Sequence, residues 1–239
     1  MLYVGLDVSA RRGLDVAVLD DERRCVGLWR TGSTTGLSAG LATLRQPFVV
    51  AVDAPQARSD FPIRRPEVRA ALPVPPPEGR FRRYRICDYE VARRGMPLYL
   101  LPEPGMSAPR WMRVGFALFR RLQEKHGLRL PVDADDHAAT LLEVYPYASF
   151  VTLLGRRPPR KTTAAGAALR IGALRAAGLG DLPPRQLSHD EADALCAAHS
   201  AWAWRHGRGC ALGLPGEGFI VLPVTRELLK DRYHVYPDC

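Results

Sequence analysis

The chain has 239 residues, 46% hydrophobic and 25% charged, with a formal net charge of +9. That composition belongs to a globular protein long enough to bury a sizeable core, as one larger domain or two small ones. No apolar run approaches the roughly 18 residues of a membrane span, and no basic leader precedes the first strand-like run, so a cytoplasmic protein with no membrane partner and no signal peptide is expected.

The charge would attract polyanions. Arginine far outnumbers lysine, however, as in a chain from a GC-rich genome, so charge alone does not define a function. Five scattered cysteines, Cys25, Cys87, Cys196, Cys210 and Cys239, form no CxxC pair and suit reduced thiols better than a disulfide framework.

In chain order, LYVGLDV (2–8), LDVAVL (14–19) and CVGLWRT (25–31) predict three short strands. The turn-like stretches SARRG and DDERR separate them, which predicts an antiparallel meander. LSAGLATLR (37–45) predicts a short helix. FVVAVDAP is a continuous apolar run of the kind that a buried parallel strand shows.

Residues 55–109 are broken by PVPPPEG, FPIRRP and LPEPG and read as a loop-rich insertion, with one short helix near 86–94. Residues 56–94 hold ten arginines against five acids, so the insertion reads either as a solvated loop or as a lid over a site. RWMRVGFALFRRLQEKHG (110–127) predicts an amphipathic helix with Met112, Phe116, Phe119 and Leu122 on its core face and Gly127 as C-cap. AATLLEVYP predicts a buried strand, 163–177 and 188–205 predict helices, and GFIVLP predicts a last strand. The expected architecture is α/β: one domain over 1–239, with a mixed five-stranded sheet that begins antiparallel, continues parallel and is flanked by helices.

Three strand-like runs each carry an acid near the end: Asp7, Asp53 and Glu143. Parallel strands end on one edge of a sheet, where ligands bind. Carboxylates gathered within about 5 Å resist ionising together unless a cation joins them. Mg²⁺ or Mn²⁺, which take oxygen ligands, would remove that objection. Each acid taken alone fits a turn or a helix cap equally well.

The run SHDEADALCAAHSAW places Asp190 and Asp193 on one helix face. Ser188 and Glu191 fit a capping box, which accounts for Asp190 at a helix N-terminus but not for Asp193 among apolar neighbours. His189 is a candidate proton carrier or simply a residue before a helix. Residues 144–180 contain no acid but carry Arg156, Arg157, Arg160, Lys161, Arg170 and Arg175. Cations beside acidic metal ligands suit phosphodiester chemistry, and they suit an ordinary basic loop as well.

The motifs VGLDVS, VVAVDAP, RICDYEVARRG, LLEVYPYASF, RKTTAAGAALR and SHDEADALCAA, in this order, resemble the DUF429 family over nearly the whole chain. That resemblance implies a ribonuclease H-like fold and a predicted nuclease. It places acidic metal positions on Asp7, Asp53, Glu143, Asp190 and Asp193 for a two-metal site. It also marks Arg85 inside a family-specific signature.

The expected function is a metal-dependent nuclease acting on DNA or RNA. Asp7, Asp53, Glu143 and Asp193 would be catalytic, and Arg85, Arg157, Arg160 and Lys161 would hold substrate. A non-catalytic nucleic-acid-binding module is one alternative. An actin-like ATPase-type phosphotransferase is another, although GLDVSARRG lacks the glycine-rich phosphate turn such enzymes need.

Overall fold

The computed structural model describes residues 1–9 and 12–236. Part of the SARRG turn and Cys239 lie outside the described residues. The meander forms as expected from β1 (Leu2–Ser9), β2 (Gly13–Leu19) and β3 (Cys25–Thr31), each pair antiparallel. A short helix, α1 (Thr34–Ala42), is capped by Ser33, whose hydroxyl accepts from Gly36 N at 3.0 Å. It returns the chain to β4 (Phe48–Asp53), which lies parallel to β1.

The insertion is not an open loop. It contains a 3₁₀ turn (Pro62–Arg64), α2 (Pro66–Ala70) and α3 (Ile86–Arg93). Phe61, Ile63, Ile86, Tyr89 and Leu101 bury one another there and pack on Met112 of α4 (Arg110–His126). Proline spacing in the sequence concealed that apolar cluster. Gly127 closes α4 at φ 63°, a left-handed C-cap as predicted. β5 (Leu141–Val144) follows, parallel to β4.

Three helices then run in succession: α5 (Pro146–Leu154), α6 (Ala164–Ala176) and α7 (His189–Arg205). The chain ends in a hairpin of β6 (Cys210–Leu214) and β7 (Gly218–Leu222). β7 joins the sheet parallel to β5. Among the described residues the sheet therefore has seven strands, ordered β3-β2-β1-β4-β5-β7-β6, rather than the five expected. CALGL lacks the β-branched residues that mark a strand and forms one by pairing with β7.

The two faces of the sheet carry alternate residues of each strand. Val4, Leu6, Val50, Val52 and Leu141 face α1 and α4. Tyr3, Val49, Ala51, Leu142 and Val144 face α7. α7 crosses β1, β2 and β4 with an alanine-rich surface. It comes so close that a Cβ at Gly5 would collide with the Ala194 carbonyl oxygen and the Ala198 amide. Both clashing groups are backbone and cannot swing aside. Gly5→Ala is therefore expected to destabilise the fold by about 3 kcal/mol, the upper end for overpacking. Urea denaturation would measure it, and a change under about 0.5 kcal/mol would rule out this close approach.

Candidate metal centre

The alternation that builds the core also aligns a row of charges. Asp7 of β1 is the register partner of Asp15 on β2 and of Asp53 on β4. Asp15 in turn faces Arg30 on β3. Arg30-Asp15-Asp7-Asp53 thus runs across four strands on the face that α7 covers. The Arg30 guanidinium donates to Asp15 from Nε and Nη2, the latter at 2.9 Å.

The first turns of α7 bring in two further acids, Asp190 and Asp193. Ser188 and Glu191 form the expected capping box: Ser188 Oγ accepts from Glu191 N at 3.1 Å and Glu191 accepts from Ser188 N at 2.8 Å. That box orients the helix start over β1. One carboxylate oxygen from each of Asp7, Asp15 and Asp190 lies within 4.8 Å of the others. Asp7, Asp15, Asp190 and Asp193 are buried and Asp53 is half-buried.

Cations reach the cluster from three directions. Lys161, before α6, donates to Asp193 Oδ2 and lies 3.9 Å from Asp190 Oδ1. Arg12 Nη2 lies 2.8 Å from Asp190 Oδ2. Arg30 holds Asp15. His189 Nδ1 is 2.6 Å from Asp190 Oδ1, beside the centre and half-buried.

Burial pushes the Asp7 carboxyl up to about 7; Asp193 adds to the rise and Lys161 opposes it. Asp53 is held well above the carboxylate range by burial and then by Asp7 and Asp193. Burial also raises Asp193 against the pull of Lys161. The Lys161 amine is disfavoured by burial, yet Asp193, Asp7 and Asp190 outweigh that and keep it charged. Crowded, desolvated carboxylates resist ionising, and a bound cation would reverse that. An all-oxygen donor set of this kind fits a hard divalent ion such as Mg²⁺ or Mn²⁺.

Glu143 is not among these acids. Its register partner is Val52, not Asp53, so its side chain leaves the opposite face of the sheet. There Arg85 donates to both its oxygens, Nη2 to Oε1 at 2.6 Å and Nη1 to Oε2 at 2.9 Å. Gln56 N donates to Oε2 at 2.8 Å. Asp88 takes the rest of the guanidinium, accepting from Nε and Nη2. Arg85 is buried; burial disfavours its charge, and Asp88 and Glu143 outweigh it. Arg85 therefore offers no group to a substrate, and Glu143 none to a metal on the other face. Both expectations are corrected on this point.

A family model described as "Protein of unknown function (DUF429)" matches residues 5–217. The chain belongs to the DUF429 family. The DUF429 match takes in every acid of the centre and the Arg85–Glu143 pair on the reverse face. No curated protein and no solved structure matches the chain.

The two other basic residues of this DUF429 chain expected to hold substrate, Arg157 and Arg160, pair with none of the centre's acids among the described residues. Arg157 is half-buried, with Nε 3.4 Å from the Tyr147 hydroxyl and its amide on His234 O. Arg160 is exposed, and its carbonyl accepts from Thr163. Asp15, Arg12 and Arg30 were missed in the sequence. A signal for Asp15 was present: GLDV occurs twice, at 5–8 and 13–16. In a hairpin that turns between the copies, the two aspartates fall opposite each other.

Proposed function

We propose that this DUF429 chain is a divalent-metal-dependent nuclease with a ribonuclease H-like fold. The observation that carries the reading is the convergence of five carboxylates from β1, β2, β4 and α7 on one face, rimmed by Arg12, Arg30 and Lys161. The antiparallel meander followed by parallel strands also agrees with that fold. Asp7, Asp15 and Asp190 would hold an ion, with Asp53 and Asp193 beside it. When bound, the ion would supply Lewis acidity toward a phosphoryl oxygen and activation of water.

The chain's own groups do the rest. Arg12 and Arg30, each about half exposed, present guanidinium edges to solvent where a phosphate backbone could replace part of their pairing. His189, against Asp190, is placed to carry a proton at Nδ1 or Nε2.

Purified protein incubated with Mg²⁺ or Mn²⁺ and with single-stranded, duplex and branched DNA and RNA tests this. Cleavage that both EDTA and Asp7→Asn abolish is expected. No cleavage of any of these substrates would refute the reading. The cations already seated on the acids favour a second reading, a non-catalytic binding module. It predicts salt-sensitive nucleic-acid binding that EDTA leaves unchanged and no turnover.

A further inference from the structure

We infer that Lys161 is a built-in cation of the acidic centre, so that the centre takes one divalent ion rather than two. The inference rests on the metal-centre reading above and narrows it. Among the described residues, five carboxylates, Asp7, Asp15, Asp53, Asp190 and Asp193, face three cations paired to them, Arg12, Arg30 and Lys161. With all five ionised, as a bound ion would make them, these pairs leave two negative units, which one divalent ion balances; the buried Arg170 adds positive field at Asp193. A second ion would leave the pocket positive unless a side chain were expelled, and like charges so close in a buried site repel strongly.

The three cations are not equivalent. Arg12 and Arg30 each pair with one acid, and all three side chains are similarly exposed, at 51%, 45% and 39% for Arg12, Arg30 and Lys161. Lys161 reaches between the two α7 acids, bonding Asp193 and lying 3.9 Å from Asp190. The acids therefore divide into two sets. Asp7, Asp15 and Asp190 bring oxygens within 4.8 Å of one another, a spacing suited to one ion. Asp193 already holds an ammonium.

The backbone that carries Lys161 is also pinned. The Arg160 carbonyl accepts from Thr163 N at 3.0 Å and from its hydroxyl at 2.9 Å. A Cβ at Gly166 would strike that same carbonyl, so only glycine lets α6 start there. Buried Arg170 donates to Pro159 O at 3.0 Å and to Gly166 O at 2.8 Å, tying the turn to the helix. A cation on such a turn is held in place before any ligand arrives, so little ordering entropy is lost in using it.

Titration of the intact chain with Mn²⁺, followed by calorimetry and by the electron paramagnetic resonance signal of free Mn²⁺, tests this without any substrate. The wild-type chain should bind one Mn²⁺. Lys161→Met, which keeps the length of the stem and removes the charge, should bind two. Lys161→Arg should remain at one. Two ions on the wild-type chain would overturn the inference and leave the nuclease reading standing. One ion on Lys161→Met, at unchanged affinity, would also overturn it. No ion on the wild-type chain would overturn both. The wild-type stoichiometry decides the matter even if Lys161→Met does not fold.

Discussion

Arg85→Met is expected to destabilise the protein by about 3–5 kcal/mol, the cost of leaving buried charges without their partner. Arg85 lies between two carboxylates that have almost no access to water: Asp88 and Glu143 are each under 5% exposed. It makes four hydrogen bonds to them. Removal leaves two carboxylates facing each other in a dry site, with the Gln56 amide, the Arg85 amide and the weak Cys87 thiol as the remaining donors.

Lysine cannot restore the geometry, because one ammonium cannot match two carboxylates bidentately. Arg85→Lys should therefore recover less than half of the loss in urea denaturation. Adding Glu143→Met to Arg85→Met should recover stability, since it removes one of the stranded charges. A loss below about 1 kcal/mol for Arg85→Met would mean that water reaches the pair. The same reverse-face site separates structure from chemistry: Glu143→Gln should lower stability yet leave Mn²⁺ affinity unchanged.

The second large effect is a pH-dependent stabilisation by metal. Asp7 titrates at about 7 in the folded chain, against 3.8 for an ordinary aspartate. The folded state thus holds a proton that the unfolded state has released. Stability from this group is full below pH 4 and is lost as pH rises through 7. One pKa unit corresponds to about 1.4 kcal/mol, so the loss at pH 8 is about 4 kcal/mol from Asp7. Asp53 and Asp193, also raised, act in the same direction.

A divalent ion replaces the protons and removes the penalty, so its benefit should grow over the same interval. Melting temperatures in EDTA and in Mn²⁺ at pH 5 and pH 8 measure it. Near-coincident values at pH 5 and a gap of several degrees at pH 8 are expected. A gap equal at both pH values would exclude these carboxylates as the ligands.

Part of this was legible in the sequence. The turn-punctuated runs 2–8, 14–19 and 25–31 announced the meander, and the continuous apolar run before Asp53 announced a parallel strand. The amphipathic spacing of 110–127 and the Ser188–Glu191 cap located two helices to within a residue or two. Asp7, Asp53, Asp190 and Asp193 were visible as candidate acids, of which Asp193 alone lacked a local role. Helix α5 was not visible, because its apolar residues continue directly from β5 with only Pro146 between them. The packing of the insertion was hidden for a similar reason: its core residues, Phe61, Ile63, Tyr89 and Leu101, are far apart in the chain.

By itself the sequence determined which residues are acidic, where strands stop and which helix could lie close to the sheet, because these depend on local spacing and side-chain size. Only the tertiary structure decided which acids meet. Asp53 ends one buried parallel strand and Glu143 stands one residue before the end of another, and nothing local tells which face each takes. β5 pairs Glu143 with Val52 instead of Asp53, and a one-residue offset turns a side chain to the other face of a sheet. The same rule brought in Asp15, whose place opposite Asp7 depends on the hairpin register. Register is a property of two strands at once, so neither strand's sequence states it alone.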